Sequence, residues 1–527
     1  MPQIDSIRGM NRFIGTICTF ASLGVAANGI VAQERVLDDD AWRADITAVA
    51  DAIHEFHPRP FRTSSAQDFQ QRYQALLNDV PALSDREVVL RLAALVALVD
   101  DGHTRLTIPR QHSEIGLEFG HTPTPGPSNK LLEFPQLPMK FEKFEDGIFV
   151  VAARTDLSEL IGCRLVAIND TGADDALAAV QAITYAENSQ LEALMGADRL
   201  TLPDALRSLG ISGVSETITL TLASPDGAQF RRPFRPLEPG TFDWSDAFAD
   251  EPVQLRHEHP EKKFWSKYVD DGRFVYMQMD EINDDGRSLA EFVSATLQEA
   301  IQRDARLVID IRNNFGGSGG LNKTLVMLII QNTELNQYDR TFVLTGRRTF
   351  SAAQMLVNEL EQYTRVTLVG EPTGSRPDHY GDPKKIRLEN SGLTLRVSRL
   401  HWSSYTAFDD REATHPDFLV PWTSDAFFGG RDPALEFAVS VRGVDLKRLL
   451  RNAIPRGDLV QIGRYLLDSQ RAPDTYAHDF SDQLLELGAE FAQQDDRDSA
   501  ILVYKVGLYF YPAHEKLTAA LTALEAE

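Results

Sequence analysis

The sequence predicts a multidomain α/β protein, and three observations carry that expectation. Strand-like and helix-like patterns alternate over residues 263–425, as a largely parallel sheet covered by helices requires. Helical periodicity fills residues 36–100 and returns after residue 436. Between the two lie short runs of alternating apolar residues, the pattern of a smaller β-rich module. At 527 residues, 43% of them apolar, the chain is long enough for several cores.

Arg8 and Arg12 precede an apolar stretch, Phe13 to Val31, that ends at Val31-Ala32-Gln33. A basic start, a short apolar run and small residues describe a signal peptide over residues 1–32. Ser22, Asn28 and the glycines at 15, 24 and 29 dilute the run below what a span of about 20 residues demands. The mature chain is expected to be exported, periplasmic or extracellular, with no membrane span. It would keep one cysteine, Cys163, so no intrachain disulfide can form. A net charge of −24 repels phosphate backbones, which argues against a nucleic-acid partner.

Residues 33–112 read as a helical domain. Trp42, Ile46, Val49, Ile53 and Phe56 recur at helical steps, and Ser84-Asp-Arg-Glu87 has the form of a capping box. Residues 113–135, rich in Pro and Gly, read as a loop. Gly147–Ala153, Gly162–Asn169 and Thr217–Ala223 are strand-like, with a helix near Asp175–Ile183, placing a β-rich module at 136–232. Pro233 to Pro260 reads as a linker. The core domain spans 263–430, with strands at Phe274–Met279, Leu307–Ile311, Thr341–Leu344, Val366–Val369 and Leu393–Ser398. In the helical region at 436–527, Leu487-Gly488, Phe491, Ala500, Tyr504, Gly507 and Pro512 fall at tetratricopeptide spacing.

Two segments carry chemistry. Asp310-Ile-Arg-Asn-Asn-Phe-Gly-Gly317 ends a strand in a glycine turn, where backbone N–H groups can meet a negative oxygen unobstructed. Arg348-Thr-Phe-Ser-Ala-Ala-Gln-Met355 presents Ser351 at the start of a helix, either as a nucleophile or as an N-cap. Asp101-Gly-His-Thr104 offers His103 as a base on a tight turn, with an acid limb expected near the ordinary histidine pKa of about 6.5. Gly316-Gly-Ser-Gly-Gly320 satisfies Gly-x-Ser-x-Gly, so Ser318 is a rival nucleophile. No metal motif is present, and no cofactor is expected.

Together with Phe350-Ser-Ala-Ala-Gln354, Val369-Gly-Glu-Pro-Thr-Gly374 and Pro416-Asp417, the glycine segment resembles the carboxyl-terminal processing (tail-specific) serine peptidases. The resemblance covers roughly residues 265–420 and implies a processing-peptidase (crotonase-like) core, with 136–232 as a divergent PDZ-like domain. It implies Ser351 as nucleophile and the N–H groups of Gly317 and Ala352 as oxyanion hole. The dyad lysine of one branch is replaced by Arg376, which stays protonated and cannot act as a base. The Ser-His-carboxylate branch then implies His103 as base and Asp410 as its orienting acid, with Asp409 as the near alternative. The expected partner is a peptide or protein substrate. An inactive peptide-binding homologue, or an esterase built on Ser318, are the other readings.

Overall fold

The computed structural model describes residues 35–62, 64–109, 132–213, 215–240, 242–247, 254–269, 271, 273–403, 409–441, 446–454, 463, 466–467 and 480–526. The expected signal peptide and most of the expected loop at 113–135 lie outside these residues. The chain is a mixed α/β protein with several sheets.

Six strands form the central sheet, in the order Phe418–Leu419, Thr367–Gly370, Thr341–Thr345, Arg306–Asp310, Phe274–Met279 and Phe264–Val269. All neighbours run parallel except the last pair. Arg306–Asp310 and Thr341–Thr345 are buried at every position, because both faces of the sheet are covered. On one face pack the helices Leu289–Gln302, Asn322–Gln331 and Ala352–Tyr363. On the other, Tyr276, Val308, Phe342 and Val369 share a core with Leu484, Leu487, Val503 and Tyr504 of the helices Ser481–Gln493 and Arg497–Phe510. One helical hairpin cannot bury its own apolar faces, so it completes this layer.

The predicted strand at Leu393–Ser398 departs from the α/β layer. Thr394–Val397 pairs antiparallel with Lys384–Arg387 and with Arg105–Leu106. Its burial alternates along the strand, as on a sheet with one covered face, so it does not fit a sheet covered on both sides. This small sheet closes the core of the helices Asp39–Phe56, Ala66–Asp79 and Asp85–Ala97. The capping box at Ser84 and Glu87 starts the third helix as expected.

An antiparallel sheet over residues 139–234 has a core of its own, and Trp244–Asp246, within the segment read as a linker, pairs with Gly147–Arg154 as a further strand of it. Besides the helix Ala173–Val180, it carries two helices absent from the sequence reading, Ser189–Arg199 and Pro203–Ser208. Leu191, Leu194 and Met195 of the first form a small cluster with Phe315 and Phe350. That contact seats the module against the two chemistry-bearing turns. Among the described residues, no helix is long and apolar enough to cross a membrane.

Candidate active site

Ser351 stands immediately before the helix Ala352–Tyr363, with φ 57° and ψ −122°. Such a backbone costs an ordinary L-residue about 1–3 kcal/mol and persists where surrounding structure fixes it. The hydroxyl caps nothing in the helix, which removes the N-cap alternative. Oγ instead lies 2.8 Å from Nε2 of His103, across 248 residues of sequence.

The glycine turn supplies the neighbouring surface. Gly316 and Gly317 have φ of 110° and 137°. A Cβ on Gly316 would stand 2.7 Å from Cβ of Ser351 and 2.9 Å from N of Ala352. Only glycine permits that approach. Buried Asn314 fixes the turn: Gly316 N–H donates to its Oδ1 at 2.8 Å, its Nδ2 donates to Met279 O at 2.8 Å, and Phe350 N–H donates to its backbone oxygen at 3.0 Å. Among the described residues, neither the Gly317 nor the Ala352 N–H has a protein acceptor. The structure therefore brings four predicted residues together: Ser351, His103, Gly317 and Ala352.

His103 is held by what surrounds it. Its ring stacks on Phe350 at 4.4 Å and lies parallel to His379 at 5.8 Å. Gly102 permits the first contact, since a Cβ there would meet the Phe350 ring at 2.7 Å. Asp101 accepts the His103 backbone N–H at 2.9 Å, while its other oxygen accepts from Thr104 Oγ1 at 2.5 Å and Ser398 Oγ at 2.6 Å. His57 completes the cage. Its Nδ1 accepts the Arg59 N–H at 3.1 Å, so its Nε2–H donates to Asp101 at 3.2 Å.

Burial, opposed by the Asp101 charge, pulls His103 down to about 3. Burial would raise Asp101, but the hydrogen bonds from His57 and Ser398 hold it below the usual carboxylate range. The remaining ring nitrogen, Nδ1, is buried, has no hydrogen-bond partner and lies 3.9 Å from Asp101 Oδ1.

Asp410 does not take the orienting position. It is exposed and makes no hydrogen bond or ion pair with His103. Its neighbour Asp409 is engaged by Arg411, which also grips Glu361 at 2.8 and 2.9 Å. The structure therefore does not pair Asp410 with His103; the carboxylate it records beside the imidazole is that of Asp101. Ser318 is exposed, and its hydroxyl has no hydrogen-bond partner among the described residues, so nothing activates it.

Sequence reasoning passed over Glu187. Its carboxyl is buried, accepts from Ser375 Oγ and from Arg376 N–H, and is pushed up to about 8 by burial and by the charge of Asp101. Arg376 also donates through Nε to the Glu187 backbone oxygen, so it ties this loop down. Asp101, His103 and Glu187 each offer one ligand atom within 4.8 Å of the others. Asn188 joins the module to the core, capping the helix Ser189–Arg199 and donating to Thr373 O and Glu412 O at 3.0 and 2.9 Å.

No protein-family model matches the chain, and no curated protein does. Its fold has solved counterparts. Mature CPAF complexed with lactacystin is 15% identical, with a TM-score of 0.50, covering 79% of this chain and 100% of that one. The chain shares its fold with that structure. Mature CPAF alone gives 16% identity and a TM-score of 0.49 over 79% of this chain and 98% of that one. The photosystem II D1 C-terminal processing protease gives 13% and 0.35 over 78% and 98%. At these identities the likeness concerns fold, and the chemistry is argued from the residues.

Proposed function

We propose that the chain is an exported serine peptidase acting by acyl transfer through Ser351. One observation carries the reading: Oγ of a strained serine lies 2.8 Å from Nε2 of a buried histidine, beside a glycine turn with unused N–H groups. In this scheme Ser351 Oγ attacks the substrate carbonyl while His103 Nε2 takes its proton. The Gly317 and Ala352 N–H groups receive the oxyanion. Protonated His103 then gives the proton to the leaving amine, and water repeats the cycle to release the acid. Asp101 fixes the imidazole through its backbone and stabilises the imidazolium charge. Because burial keeps His103 neutral, the base is available over a wide pH range. The module at 139–234 would hold an extended peptide as an added strand, and the C-terminal helices would support it.

The 3.9 Å gap between His103 Nδ1 and Asp101 favours a second reading, an inactive peptide-binding homologue. A fluorophosphonate probe followed by peptide mapping separates the readings. A label on Ser351 is expected. Absence of label supports the binder, and a label on Ser318 supports an esterase.

A further inference from the structure

A cavity of about 650 Å³ opens at the carboxyl ends of the parallel strands. Asn313, Gly346 and Glu371 line it, just beyond the strands Arg306–Asp310, Thr341–Thr345 and Thr367–Gly370. That edge of an open α/β sheet is where ligands bind, and Ser351 and the glycine turn follow the same strand ends. The β-rich module and the segment read as a linker supply the facing wall, through Lys140, Lys143, Trp244 and Arg256.

The chain carries a net charge of −24, yet this lining is rich in cations. Lys140, Lys143, Arg256, Arg312, Arg347 and Arg348 face Glu142, Asp246 and Glu371. Three of the arginines already have carboxylates: Arg312 has Asp310 and Asp432, Arg347 has Glu371 at 3.1 Å, and Arg348 has Glu142 at 3.6 Å. Arg256 has none among the described residues. Its guanidinium lies 5.0 Å over the Trp422 ring, and its one side-chain hydrogen bond is a long 3.4 Å contact to Asn313 Oδ1. Nε is buried without an acceptor. Burial and the charge of Arg312 disfavour its cationic form, an effect that the charges of Asp432 and Asp310 only partly offset, so an anion in the cavity would relieve it.

We propose that this cavity is a substrate subsite for a carboxylate, with Arg256 as its specificity-determining residue. The inference rests on the peptidase reading of Ser351. A planar guanidinium braced on tryptophan matches a carboxylate through two parallel N–H donors. The volume falls within the range of ligand pockets and exceeds one side chain, so neighbouring residues of the peptide would enter too. The carboxylate can come from an acidic side chain or from the peptide's own C-terminus.

The test uses the Ser351→Ala variant, so that binding is read without turnover. Peptides matched in pairs, internal Asp against Asn and free acid against C-terminal amide, are titrated while tryptophan fluorescence is followed. Trp244 and Trp422 both line the cavity and report its occupancy. One acid-bearing member should bind at least ~10-fold tighter than its neutral partner. Adding Arg256→Gln should bring that ratio to about one, whereas Arg256→Lys should keep part of it, with thermal melts verifying that both variants fold. No preference for either acid, or a preference that survives Arg256→Gln, overturns the proposal. Fluorophosphonate labelling of the unmodified chain is run beside it. Missing label there counts against the peptidase reading, while the binding ratios still judge the subsite.

Discussion

Two buried charge clusters in this chain are built on opposite terms. Around Arg312, both carboxylates find a full complement of donors. Asp310 accepts from Arg312 Nε and Nη2 at 3.0 and 2.6 Å and from Tyr276 OH at 2.6 Å, while Asp432 takes two guanidinium N–H bonds at 2.7 Å. Burial would lift Asp310, but the Arg312 charge holds it at about 2. Around His103 the groups are left unmatched: an imidazole nitrogen lacks a partner, and Glu187 sits near 8 beside an ionised Asp101. A saturated cluster locks segments together. An unbalanced one leaves protons available to move, which is what a reaction uses.

The largest expected effect is on the unbalanced side. Ser351→Ala should lower kcat by at least ~10⁴-fold, with folding unaffected by the loss of one hydroxyl. Activity within about tenfold of the parent would reject the nucleophile. Ser351→Gly sharpens the point from the other direction. It should also be inactive, yet raise stability by about 1 kcal/mol by relieving the positive φ.

Next comes the orienting acid. Asp101→Asn removes the charge beside the imidazole and should lower kcat by about 10²–10⁴-fold with little change in KM. Asp410→Asn, on its exposed segment, should stay within about twofold. The reverse pattern would restore Asp410. The pH profile adds an independent reading. With His103 pulled down to about 3, kcat/KM should hold as pH falls through the ordinary histidine range, rather than drop near 6.5.

Breaking the saturated cluster should show up as lost stability rather than lost chemistry. Arg312→Met leaves Asp310 and Asp432 buried without their cation, at a cost of roughly 3–5 kcal/mol in denaturant unfolding. The labelling rate of Ser351 per folded molecule should not change. A variant as stable as the parent would mean that these carboxylates are hydrated or protonated.

The contrast also marks what a sequence can disclose. The parallel strands were legible because burial on both faces makes continuous apolar runs, and the glycine turn because only glycine suits its dihedrals. Ser351 and His103 stood in local motifs, so the pair could be named although 248 residues separate them. Asp101 lay in plain view within the His103 motif, but its role depends on His57 and Ser398, which are distant in sequence. Asp410 was carried over by position along the chain, and position does not say which carboxylate folds against the imidazole. Glu187 had no local signal at all. It matters because folding buries it beside another carboxylate, and burial is a property of the assembled molecule.

Glu187 offers the smallest effect and the closest test of the comparison. An ordinary glutamate titrates near 4.5, and burial with the Asp101 charge pushes this one up to about 8. Between those values the native chain holds a proton that the unfolded chain has released, so stability should fall as pH rises through that window. His103 works in the opposite sense: its folded pKa of about 3 lies below the ordinary 6.5, so stability should rise with pH between them. Glu187→Gln keeps an acceptor for Ser375 and the Arg376 N–H but has no proton to lose. Its melting temperature should match the parent's near pH ~5 and exceed it by several degrees near pH ~8, a difference worth on the order of a few kcal/mol. The acid side of the profile, set by His103, should be unchanged. If the two proteins lose stability in parallel from about pH 5 to about pH 9, Glu187 is ionised in the native state. The cluster around His103 would then be as well matched as the one around Arg312, and the distinction drawn between them would fail.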